Sequence, residues 1–139
     1  HDIGEEDTPY ETGLGFAVNL TKSGFLGQAA LSAQKAGGAA TPNRTVSIKV
    51  EGATAEAGPY LMHNEPIWQG KTLVGHVTSG GWGWRLSAMI GLAALHRDGG
   101  VSKAWIDAGG FEVQIAGRRY PLMVQLGPFY DPDGQRMRG

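Results

Sequence analysis

The sequence predicts a mainly β fold with one short helix, its strands closing into a small barrel or sandwich. Three observations carry this. Short apolar runs suited to strands recur between residues 45 and 125, separated by glycine-rich turns. Glycine supplies 23 of the 139 residues, about 17% against a norm near 7%. With no collagen period and an ordinary apolar fraction, that excess means many turns rather than disorder. Only residues 25–35 combine helical spacing with a stop signal.

In chain order, residues 1–24 read as irregular and extended. Thr8-Pro9 blocks helix continuation, and residues 13–18 suggest a short strand. Ser23 precedes the helical stretch, in which Leu26, Ala30, Leu31 and Ala33 share part of one face; Gly37-Gly38 ends it. Pro42 opens a new unit. Residues 45–50 alternate, with Val46, Ile48 and Val50 on one face. Residues 66–68 and 73–78 flank a tight Gln69-Gly70 turn. The segment carrying Gly80, Gly81, Trp82, Gly83 and Trp84 then reads as a binding or packing loop. Residues 89–95 fit either a helical face or a buried strand, and periodicity does not choose between them. Further strands are expected at 103–107, 111–115 and 120–125, with Ala116-Gly117-Arg118 as a hairpin connector.

Composition excludes several classes. Twelve basic and thirteen acidic residues leave a net charge of −1, so there is no broad cationic footprint for nucleic acid or an anionic membrane. Cysteine is absent, which removes disulfides, thiolate metal sites and a cysteine nucleophile. The acidic start lacks the apolar core of a signal peptide, and the run at 89–95 is too short to span a bilayer. A soluble chain is expected. It does not begin with methionine, and the expectation is a piece of something longer.

His1, His63, His76 and His96 show no metal-ligand spacing. Neither glycine cluster matches a dinucleotide or phosphate-loop fingerprint, and no Gly-x-Ser-x-Gly elbow is present. The carboxylates Asp2, Glu5, Glu6, Asp7 and Glu11 suit a solvated face or a domain contact. Trp82 and Trp84 suit stacking on a flat ligand; equally, one suits the core and the other a domain contact. Arg44, Arg85, Arg118 and Arg119 suit pairing with a carboxylate, and only Arg44 and Arg85 adjoin segments expected to line a site. From residues alone, this is a small β-rich domain without a self-contained active site.

Five motifs in order add a family. They are His1-Asp2-Ile3; Thr8-Pro9-Tyr10-Glu11-Thr12-Gly13-Leu14; Phe25-Leu26-Gly27-Gln28-Ala29-Ala30-Leu31; the basic-led strand at 44–48; and Gly75-His76-Val77-Thr78-Ser79-Gly80. Together they resemble the C-terminal part of the aminomethyltransferases, the glycine cleavage T-protein family. Glu65-Pro66-Ile67-Trp68 and the ending at 128–139 are similar to the dimethylglycine and sarcosine dehydrogenases of that family. Trp84-Arg85-Leu86-Ser87-Ala88-Met89 departs from the plain T-protein pattern.

The resemblance implies a jelly-roll-like β-barrel of the T-protein C-terminal type over residues 44–139. Residues 1–43 would be the tail of a preceding folate-binding domain, and residues 89–95 would be a strand. It implies that an N-terminal flavin domain, holding FAD, oxidises an N-methyl amine. The T-protein-like half would then capture the one-carbon unit on tetrahydrofolate as methylenetetrahydrofolate. No catalytic residue falls within this chain on that reading, and no metal is implied. Arg44, Trp82, Trp84, Arg85 and Tyr130 are the candidates for the folate channel wall or its domain contacts. The partners would be the N-terminal domains of the same protein and folate, in a bacterial cytoplasm or a mitochondrial matrix. Two other readings stand beside it. One is a stand-alone barrel binding an aromatic or amine ligand through Trp82 and Trp84; the other is part of another folate-dependent aminomethyltransferase or demethylase.

Overall fold

The computed structural model describes residues 2–38 and 40–138; His1, which opens the first motif, and Gly139 lie outside the described residues. Six antiparallel strands form a closed barrel: β1 (Asn43–Val50), β2 (Pro66–Gln69), β3 (Thr72–Gly83), β4 (Ala88–His96), β5 (Phe111–Ile115) and β6 (Arg118–Gln125). Around the barrel the order is β1-β4-β3-β2-β5-β6, and β1 pairs with both β4 and β6 to close it. Closure gives every strand a partner on both sides for part of its length.

Alternation builds the core. Val46, Ile48 and Val50 of β1 point inward, meeting Met89, Ala93 and Leu95 of β4, Ile67 of β2, Val77 of β3 and Val113 of β5. Burying each large aliphatic side chain contributes about 1.5–3 kcal/mol before entropy is counted. Residues 89–95 lie within β4, so the strand option for that run holds and the helical one does not.

Glycines make the barrel wall thin where strands and plugs meet. A Cβ on Gly75 would strike the Ala94 carbonyl oxygen, one on Gly91 the Ser79 carbonyl oxygen, and one on Gly80 the side chain of Leu61. Gly80 and Gly91 face each other across the β3–β4 ladder, and buried Leu61 fills the space they leave. The expected glycine-rich loop is therefore strand: β3 continues through Gly83.

Two other expectations are corrected. Residues 103–107 form a helix, α2 (Lys103–Asp107), rather than a strand. Ser102 caps it by accepting from the Trp105 amide at 3.2 Å, and Ile106 is buried. Residues 13–18 form no strand; a 3₁₀ turn spans Gly15–Ala17, after Leu14 N donates to the Pro9 carbonyl at 2.7 Å. The main helix covers Gln28–Ala36 (α1), starting slightly later than expected, and Gly37 N closes it on the Ala33 carbonyl. A short helix, α3 (Gln135–Arg138), lies near the C-terminus, with Asp131 accepting from the amides of Gln135 and Arg136.

Candidate functional site

Two clefts hold the residues with chemistry to offer. The first, about 480 Å³, lies where the N-terminal segment meets the start of β1 and is lined by Tyr10, Gly13, Phe16, Gln34, Thr41 and Arg44 among others. Arg44 sits at the head of β1 because Pro42 ends the preceding segment and Arg97 N caps its carbonyl at 2.9 Å. Its Nη1 donates to the Tyr10 carbonyl. Burial pulls the guanidinium below its usual pKa, yet an arginine at neutral pH stays charged. Its Nε and the Tyr10 hydroxyl are both buried without a protein partner.

The second cleft, about 410 Å³, lies between β1, β3 and β4 and the C-terminal stretch Pro128-Phe129-Tyr130. Trp82, Leu86, Ile90 and Leu92 give it an apolar lining. Lys49 reaches over the Phe129 ring at 5.5 Å, which helps hold that stretch against the barrel.

The five residues singled out from sequence divide between these places. Arg44 lines the first cleft; Trp82 and Tyr130 line the second. Trp84 is 80% exposed, and Arg85 is exposed in the β3–β4 turn. On β4, Arg44 lies opposite Leu95 and Trp82 opposite Met89, a separation of six residues or roughly 20 Å along the strand. The five thus do not share one wall within this chain. The Trp82 and Trp84 rings are 6.4 Å apart and 80° from parallel, so a flat ligand stacked on one meets the edge of the other. Sequence reasoning passed over Tyr10 as a site residue, although it quoted the motif that contains it. Its place in the site comes only from its backbone contact with Arg44, thirty-four positions away.

Among the described residues no group of three or more His, Asp or Glu could hold a metal ion. No described helix is long and apolar enough to cross a membrane.

The architecture defines a small closed antiparallel barrel with an N-terminal appendage. Residues 43–131 match the family described as the glycine cleavage T-protein C-terminal barrel domain, and the chain belongs to it. Over its whole length the chain is 41% identical to the 4-methylaminobutanoate oxidase (formaldehyde-forming) of Paenarthrobacter nicotinovorans, covering 16% of that protein. It is 31% identical, over 99% of its length, to the mitochondrial sarcosine dehydrogenase of Mus musculus, covering 15% of it. An aminomethyltransferase of Rubrobacter xylanophilus is 34% identical over 96% of the chain, which spans 34% of that relative. In the crystal structure of the glycine cleavage system aminomethyltransferase T from Bartonella henselae, the same fold recurs with a TM-score of 0.74 at 21% identity, over 94% of this chain and 34% of that one.

Proposed function

We propose that this chain is the folate-side C-terminal domain of a flavin-dependent enzyme that oxidises an N-methyl amine. Residues 1–43 would close the preceding folate-binding domain, and residues 44–139 would supply the barrel wall of a shared tetrahydrofolate channel. Similarity over the full chain to two proteins named for 4-methylaminobutanoate and sarcosine, both N-methyl amines, supports the amine class. The observation that carries the folate side is Arg44, a half-buried cation that lines the first cleft together with Tyr10. The glutamate carboxylates of tetrahydrofolate fit that cation in charge and in hydrogen-bonding sense.

On this reading tetrahydrofolate supplies the nucleophilic nitrogens that take up the one-carbon unit. This chain's residues bind and orient. Arg44 holds a carboxylate, and its bond to the Tyr10 carbonyl fixes the guanidinium at the head of β1. Oxidation belongs to a flavin domain outside this chain, which has no dinucleotide fingerprint.

Calorimetry with tetrahydrofolate tests the proposal on the full-length protein and on this chain alone. Full-length protein should bind in the micromolar range. The chain alone should bind weakly or not at all, because a cleft shared between domains loses most of its contacts when one wall stands by itself. Arg44→Met in the full-length protein should weaken binding by about 10- to 100-fold, as expected for losing a sheltered hydrogen bond to a charged group. Micromolar binding by the chain alone would overturn the shared channel. Unchanged affinity in Arg44→Met would remove Arg44 from it.

A further inference from the structure

Thr78 is one residue more than its ladder needs. Val77 lies opposite Ala93 and Ser79 opposite Leu92, so Thr78 has no counterpart on β4. Such a bulge breaks the strand's alternation and re-aims a side chain, at the cost of a local ladder bond. Two successive side chains are consequently buried here, Val77 in the core and Thr78 at 7% exposure.

The Thr78 hydroxyl donates to Asp2 Oδ1 at 2.6 Å, across seventy-six positions of sequence. The neighbouring hydroxyls, Ser79 first and then Thr78, hold the Asp2 carboxyl below the usual aspartate pKa. A carboxylate receiving so short a hydroxyl bond is an anchor for a chain end.

Between that anchor and β1 the segment runs as a strap. Ile3, half exposed, forms one wall of a hollow with Thr12, Thr45, Ser47, Leu92 and Leu126, which brings it near β1 and β4. Thr8 and Glu11 close a local turn, the Thr8 hydroxyl donating to Glu11 Oε2 at 2.7 Å. At the far end the Glu11 carbonyl accepts from the Thr45 amide at 2.8 Å, and the Tyr10 carbonyl accepts from Arg44. The strap is thus tied to β3 at one end and to the head of β1 at the other. Tyr10 lies at that second end, facing the cleft.

We propose that Asp2, Thr78 and Ser79 form a latch that fixes this strap and thereby sets Tyr10 against Arg44, making the three positioning residues for the carboxylate cleft. The latch itself follows from the geometry; the ligand it serves rests on the folate reading above. Releasing one end of the strap leaves the Tyr10 end held only by its bonds to β1, and the freed segment regains conformational entropy at the expense of that geometry.

The experiment uses the full-length protein with Thr78→Val, which keeps shape and removes the hydroxyl, Thr78→Ser, which restores it, Ser79→Ala and Asp2→Asn. Amide hydrogen exchange at Thr45 reports the strap, and exchange within the β1–β4 ladder reports the barrel. The expected result is faster exchange at Thr45 in Thr78→Val with the ladder unchanged, and recovery in Thr78→Ser. The double substitution Asp2→Asn with Thr78→Val should do no more than Asp2→Asn alone. Tetrahydrofolate affinity should fall about tenfold in Thr78→Val, the loss of roughly one charge-assisted bond's worth of positioning. Wild-type exchange at Thr45 in both Thr78→Val and Ser79→Ala, or strictly additive effects in the double variant, overturns the latch. Faster exchange with unchanged affinity overturns the positioning role. If wild-type protein binds no tetrahydrofolate, the folate reading fails, while the exchange results still decide the latch.

Discussion

The barrel and the N-terminal segment are built on opposite terms. Every strand of the barrel contributes a buried side chain, and Ile48, Ile67, Val77 and Val113 are wholly enclosed. Before Thr41 no described residue is buried. The helix α1 buries nothing, Phe16 is 87% exposed and Leu26 is fully exposed. A nine-residue helix is below the length at which a helix holds itself in water. The barrel owes its order to its own core. The segment owes what order it has to hydrogen bonds: Asp2 to Thr78, Glu11 to Thr45, Tyr10 to Arg44, and Gln28 to the carbonyls of Leu20 and Lys22.

The largest effect that would sharpen this contrast is in the barrel. Ile48→Ala should destabilise the chain by about 2–5 kcal/mol, measured by denaturant unfolding, because a fully packed site cannot collapse around the cavity. A loss below 1 kcal/mol would mean that the barrel is loosely packed. Next, Gly91→Ala should cost about 1–3 kcal/mol, since its Cβ meets the Ser79 carbonyl and one strand must move. The same change at Gly81, where nothing lies close by, should cost far less, and equal costs would contradict the steric account.

A smaller effect concerns acid. The Asp2 carboxyl has a folded-state pKa below its unfolded one, so its contribution is fully present above roughly pH 4. It is lost as pH falls through the lower folded value. Amide exchange at Thr45 should therefore rise at low pH beyond its intrinsic pH dependence, and Asp2→Asn should abolish that excess. An excess that persists in Asp2→Asn would point to another group. Smallest of all, Leu26→Ala should change the stability of this chain by less than about 0.5 kcal/mol, as for an exposed surface position. In the full-length protein a larger loss would show that the segment is covered there.

The sequence by itself determined the parts that depend on near neighbours. Alternation placed Val46, Ile48 and Val50 inward, a turn at Gly70-Lys71, one residue beyond the expected Gln69-Gly70, joined β2 to β3, and Gly117 turned β5 into β6 with φ near 79°. The absence of cysteine and of any nucleotide fingerprint was equally plain. Residues 103–107 went wrong because their apolar content suits a strand, whereas the Ser102 cap and the burial of Ile106 favour a helical turn. Residues 80–83 looked like a loop because glycine is a poor strand former. Only the facing strand shows why it is required, with Gly80 against Gly91 and Leu61 filling the space between. Tertiary structure alone decided that Arg44 and Trp82 lie at opposite ends of β4, that Tyr10 joins Arg44, and that the bulge at Thr78 meets Asp2. Periodicity and turn chemistry act over a few residues and can be read along the chain; steric clearance and pairing act between residues dozens of positions apart, and only the closed barrel brings those together.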